Sequence, residues 1–350
     1  MEVCGTHTMS IARNGLRSML PDSLRLVSGP GCPVCVTDQA YIDQAVLLAE
    51  GACRLRRLAT ASGERPIVAT YGDMVRVPGG RGSLAEARAR GAEVEVVYSV
   101  DQVLELAKAR RDRQVVFLAV GFETTAPATA LAVQRACREK LANFTVLTAH
   151  KLVLPAMRAL LEAGDVRIDG FLCPGHVSVI LGWQAYWPIV QRYRRPCVVA
   201  GFEPQQILLG LEAILRQLVG GKPAAASVYR IVSAEGNPSA KRVLDEVFRV
   251  APARWRALGE IAESGLELKD EYAAFDAARR FELPAVEAVE PVGCRCGDVI
   301  LGRCQPADCP LFARTCTVRD PVGPCMVSSE GACAAAYKYE RKACSARAGA

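Results

Sequence analysis

The chain has 350 residues, 51% hydrophobic and 23% charged, which suits two or three packed domains and excludes a disordered tail protein. Lysine and arginine number 43 against 37 acidic residues, a net charge of +6 with no block of like charges, which argues against nucleic acid or an anionic membrane as partner. No apolar run approaches the roughly 20 residues of a membrane helix, and Met1-Glu2-Val3-Cys4 has no basic segment leading into an apolar one, so a reducing cytoplasm is the expected compartment.

From about residue 20 to 235, short β-branched runs alternate with longer Ala/Leu/Arg/Glu segments, the pattern of repeated βα units around parallel sheets. Strands are expected at 24–28, 67–71, 94–98, 115–120, 144–148, 170–173, 197–200 and 228–232. Helices are expected between them at 40–52, 83–90, 101–110, 127–141, 155–163 and 204–219, followed by helical stretches at 239–256 and 269–280. A loose echo of residues 115–123 at 197–203 supports two similar halves. The expected fold is α/β: two doubly wound parallel-sheet lobes around a central cleft (1–120 and 121–236). A helical linker and a small Cys-rich iron-sulfur domain follow at the C-terminus (237–350).

Ligands of open α/β sheets collect at the carboxyl ends of the strands, and the unusual residues fall there. All three histidines, His7, His150 and His176, lie in or beside such segments. Cys4-Gly5-Thr6-His7 sets a thiol and an imidazole three residues apart, a spacing that lets both reach one iron, copper or zinc ion. Cys32-Pro33-Val34-Cys35 follows a Gly-Pro-Gly turn and opens a helix, whose N-terminus favours a thiolate. This pair either cycles between dithiol and disulfide or holds metal. Glu123, ahead of Thr124 and Thr125, reads both as a first-turn carboxylate and as an acid-base or supporting group. His176 in Cys173-Pro174-Gly175-His176 reads both as a structural imidazole and as part of the site.

Fifteen cysteines in a cytoplasmic chain point to metal or redox chemistry, and eight of them fall in the last 57 residues. Cys309, Cys316, Cys325 and Cys333 are spaced too widely for a zinc knuckle. Four thiolates on irregular loops suit a [4Fe-4S] cluster. Cys294, Cys296 and Cys304 are surplus thiols whose spacing assigns them nothing, and the tail with Cys344 reads as a frayed end.

These segments, with Gly121-Phe122-Glu123-Thr124-Thr125, Cys173-Pro174-Gly175-His176-Val177-Ser178 and Gly323-Pro324-Cys325-Met326-Val327-Ser328-Ser329-Glu330-Gly331-Ala332-Cys333, resemble the HypD family of hydrogenase maturation (formation) proteins from one end of the chain to the other. Members usually carry a helical segment before the first motif, whereas this chain begins almost on it. The resemblance implies a scaffold on which the Fe(CN)2CO unit of [NiFe]-hydrogenase is assembled. On it, Cys4 binds iron shared with a small HypC-type chaperone, His7 lies beside it, and a HypE-type protein delivers cyanide. It further implies that Cys32 and Cys35 are redox-active and that Cys309, Cys316, Cys325 and Cys333 ligate the [4Fe-4S] cluster. Cluster and dithiol would supply electrons, and Glu123 and His176 protons or hydrogen bonds. The alternative is a free-standing iron-sulfur-dependent thiol-disulfide oxidoreductase acting through Cys32 and Cys35.

Overall fold

The computed structural model describes residues 1–52 and 65–340; the tail containing Cys344 lies outside the described residues. Ile67–Thr70 (β1), Val94–Val96 (β2), Val115–Gly121 (β3) and Phe144–His150 (β4) form a parallel sheet in the order β2-β1-β3-β4. Every residue of β3 is buried, as a strand covered on both faces requires. The covering helices follow the expected periodicity. Helix Val100–Ala109 buries Val100, Val103, Leu104 and Ala107, one stripe of a 3.6-residue repeat. Helix Leu84–Ala89 starts at a Ser83/Glu86 capping box.

Phe171–Pro174 (β5), Cys197–Ala200 (β6) and Ala225–Ser227 (β7) form a second parallel sheet in chain order. The N-terminus extends it, because Glu2 makes parallel bridges to both Leu172 and Ser28. The expected strand at 24–28 therefore contributes one bridge, and the first motif hangs from the edge of the second sheet. The strand expected at 228–232 is replaced by β7 three residues earlier, where Ser227 Oγ accepts from Tyr229 N–H and turns the chain.

The two helical stretches expected after residue 237 are only partly helical. Pro238–Val247 is a helix capped by Asn237, but Phe248–Trp255 (β8) pairs antiparallel with Gly259–Leu268 (β9). The Arg/Ala-rich composition and the 3-and-4 spacing of Phe248, Ala251 and Trp255 both match a helix, but Pro252 cannot donate a helical hydrogen bond, and the strand carries a register shift between Ala251 and Ala253. At 269–280, a 3-10 turn Asp270–Phe275 ends at Asp276, whose carboxylate caps a separate short helix Ala277–Arg280.

The C-terminal region is a set of short helices, Cys296–Ile300, Pro324–Val327 and Ala332–Tyr339, joined by loops. Its buried residues share one apolar cluster with both parallel sheets: Val3, Cys35, Val68, Val120, Cys173, Trp255 and Cys325 all belong to it. Among the described residues no helix is long and apolar enough to cross a membrane.

Gly31 joins these parts. Its carbonyl accepts from Gly5 N–H at 3.1 Å, and a Cβ there would overlap the backbone of Val3 and Cys4. Gly31→Ala should therefore force the first two motifs apart and destabilise the fold by about 2 kcal/mol, lowering Tm in a thermal melt by about 3 °C. An unchanged melt would show that this contact relaxes freely.

Candidate metal and thiol centre

Cys4 leaves the bridge at Glu2 and becomes the N-cap of helix Gly5–Arg13. It stands in the wall of a cavity of about 510 Å³ shared with Thr6, Pro33, Thr124, His176 and Glu330. Burial pushes the Cys4 thiol up to about 12; backbone N–H groups of His7 and Thr6 act in the opposite direction, while Glu330 and Glu2 add to the rise. The thiol is therefore held in its protonated form, and any cation that binds it has to displace that proton. Glu330, which the sequence reading did not single out, accepts from Thr6 Oγ1 at 2.7 Å.

His7 is fully buried behind Cys4 and does not line this cavity. Its Nε2–H donates to Gly201 O at 3.0 Å, and burial lowers its pKa to about 4, so the ring is neutral. Phe202 packs against His7 at 5.0 Å between ring centres and against His176 at 4.2 Å, so one aromatic side chain positions both imidazoles. The only signal for it in the sequence was the loose Gly-Phe-Glu echo at 201–203. Glu123 is buried beside the cavity, whose wall includes its neighbours Phe122, Thr124 and Thr125. Its Oε1 accepts from Val153 N–H at 3.0 Å and its Oε2 has no partner. His150, fully outside this cavity wall, is held to Thr129 at 3.0 Å.

Cys32 caps the short helix Pro33–Val36, with Cys35 N–H donating to its sulfur at 3.3 Å. The two Sγ atoms are 2.7 Å apart and both residues are buried. Behind them Cys35 meets Cys325, and Cys325 Sγ lies 2.8 Å from Cys296 Sγ. Cys296 touches Cys294, and Cys325 also touches Cys333. Cys333 in turn acts electrostatically on Cys304 and Cys316. Cysteines distant in the chain thus form a nearly continuous sulfur series from the dithiol into the C-terminal region. Burial raises Cys35, Cys296 and Cys325 well above the usual cysteine range; the sulfur contacts act in both directions, Cys325 lowering Cys35, Cys294 lowering Cys296 and Cys296 lowering Cys325 while the other neighbouring thiols raise them.

Of the four cysteines expected to ligate a cluster, Cys325 and Cys333 meet, Cys316 lies near Cys333, and Cys309 turns its sulfur toward Gly293 O at 4.0 Å. All four are buried. Among the described residues no three His, Cys, Asp or Glu side chains are gathered at the spacing of a single metal ion.

The structure thus defines an α/β protein in which a cavity walled by a buried thiol is backed by a close cysteine pair and a cysteine-rich C-terminal region. A family model described as "HypD: Hydrogenase formation hypA family" matches residues 1–340. The hydrogenase maturation factor HypD of Cupriavidus necator is 43% identical over 350 residues, covering 97% of this chain and 89% of that protein. Its counterpart in Azotobacter vinelandii is 44% identical over 352 residues, with 98% and 89% covered. That of Escherichia coli is 42% identical over 344 residues, again with 98% and 89% covered. The chain belongs to the HypD family and is a hydrogenase maturation factor.

Burial raises the Glu123 carboxyl from 4.5 to about 7. The folded state holds this proton more tightly than the unfolded chain does, so the stability it contributes is complete below pH 4.5 and is lost as pH rises through 7. Glu123→Gln should remove that loss and gain on the wild type by up to about 3 kcal/mol between roughly pH 5 and pH 8. Denaturant titrations at the two pH values check this; parallel pH dependence in both proteins would mean that Glu123 ionises normally.

Proposed function

We propose that this chain is the platform on which the Fe(CN)2CO unit of [NiFe]-hydrogenase is assembled, with Cys4 as the protein ligand of the iron under construction. The observation that carries the reading is the sulfur series: a buried dithiol with 2.7 Å between its sulfurs, flanked by Pro33 of the Cys4 cavity and backed by the 2.8 Å Cys325–Cys296 contact. A small HypC-type chaperone would share the iron at the open cavity, and a HypE-type protein would bring cyanide there as a thiocyanate. Releasing it takes two electrons: R–SCN and the Cys32/Cys35 dithiol give R–SH, HCN and the Cys32–Cys35 disulfide, with every atom conserved. Glu123, protonated to about 7, and His176 in the cavity wall are the groups suited to hold protons during that exchange.

The residues fit a [4Fe-4S] cluster. Each iron takes its own thiolate, so ligands sit further apart than around one ion, and the loops offer Cys304, Cys309, Cys316, Cys325 and Cys333, all buried, with no histidine among them. Bound there, the cluster supplies electrons one at a time. Cys309, Cys316 and Cys333 serve in any assignment of ligands. For the fourth, Cys325 is the residue that the resemblance names; it touches Cys333 and also meets Cys296 and Cys35, as a ligand joining the cluster to the dithiol would. The same series would serve a free-standing thiol-disulfide oxidoreductase, but membership of a hydrogenase-formation family gives its electrons a destination.

Cys4→Ala should abolish maturation of hydrogenase in cells while the purified protein keeps about four cluster irons per chain; a variant that still matures hydrogenase removes Cys4 from its role. In anaerobic iron and sulfide assays, Cys325→Ala should lose the cluster and Cys304→Ala should keep it. The reverse pattern would put Cys304 in place of Cys325 in the ligand set named from the resemblance.

A further inference from the structure

A second cavity, of about 620 Å³, lies along the outer edge of β4, between that strand and the hairpin β8–β9, with helix Gln39–Ala49 on one side. Lys151 follows β4 directly, its backbone fixed by an antiparallel bridge to Gly265. Its side chain lines the cavity and the residue is only 5% exposed. Nζ donates to Arg254 O at 2.8 Å and sits 5.8 Å from the centre of the Trp255 ring. No carboxylate of the described residues lies within ion-pair distance of it. The acids in the same wall are engaged elsewhere: Asp38 with Arg254 at 2.9 Å, Glu267 with Arg249 at 3.2 Å and Asp276 with Arg279 at 3.4 Å.

A buried ammonium without a counter-ion is costly, and one carbonyl and one ring face offset only part of its lost hydration. Burial accordingly lowers the Lys151 pKa to about 8, with Asp38 acting in the other direction. An anion entering the cavity would supply the missing charge and accept from the ammonium's remaining N–H groups. We infer that this cavity is a binding site for a small organic oxyanion, a carboxylate or a phosphate ester, that pairs with Lys151. The site is separate from the Cys4 cavity but adjoins its machinery. Thr37 and Asp38 of its wall directly follow the dithiol helix, and Trp255, beside Lys151, packs at 5.9 Å against Phe122 of the Cys4 cavity.

The test uses the full chain, prepared without air, in thermal melts at constant ionic strength with citrate or inorganic phosphate as probe. At least one probe should raise Tm saturably, by about 4 °C at a hundredfold excess over its Kd, and Lys151→Met should abolish the rise. The probe that acts tells carboxylate from phosphate recognition. No saturable rise with either probe, or an equal rise in Lys151→Met, overturns the inference. Should Lys151→Met fail to fold, pulse acetylation of the wild type read by mass spectrometry decides instead. Saturating probe should slow labelling of Lys151 at least fivefold while labelling of Lys108 stays constant; equal labelling of Lys151 with and without probe overturns the inference.

Discussion

The contact of Cys35 with Cys325 is the constraint on which the rest of the molecule depends. It sets the dithiol helix against helix Pro324–Val327 of the C-terminal region, with Cys35 Sγ 3.9 Å from Pro324 O. That region has little aliphatic material of its own, and it is buried by packing its cysteines onto the apolar cluster of the parallel sheets. Further ties hold the same face: Ser328 Oγ donates to Asp73 at 2.9 Å, Arg76 to the carbonyls of Val318 and Arg319, and Thr6 to Glu330. The loop between Cys325 and Cys333 therefore reaches the Cys4 cavity directly, and both ends of the sulfur series are fixed relative to the place where iron would sit.

Electrostatics give this arrangement its direction. In water a cysteine thiol is partly ionised and reactive, whereas burial holds Cys4 and Cys35 as thiols. Cys4 sits at a helix N-terminus, so a thiolate there is stabilised by backbone N–H groups once a cation has displaced its proton. The dithiol differs: each sulfur has a sulfur neighbour, so losing protons and electrons together to form a disulfide removes two buried, poorly solvated groups at once.

Much of the frame was legible in the sequence because parallel sheets covered on both faces leave continuous β-branched runs, as in β1, β3 and β6. The hairpin β8–β9 was not, since both the composition and the 3-and-4 spacing of Phe248, Ala251 and Trp255 match a helix, and only Pro252 speaks against one. The motif residues were legible as a group, but their division of labour was not. His7 lies behind Cys4 and Glu123 beside the cavity, because a residue's distance along the chain does not fix the side of a strand end on which it emerges. Cys294 and Cys296 carried no assignment for a similar reason: the Cys296–Cys325 contact spans 29 residues of irregular loop, and no local spacing encodes it.

The central claim, that electrons reach the cavity through touching sulfurs, is tested most directly by breaking the middle of the series. Infrared spectra should be taken of the anaerobically isolated complex with a HypC-type partner, for the wild type and for Cys296→Ala. The wild type should show bands of iron-bound cyanide and carbon monoxide. Cys296→Ala should keep its cluster iron and its partner yet show no cyanide bands. Bands of equal intensity in the two proteins would contradict the account.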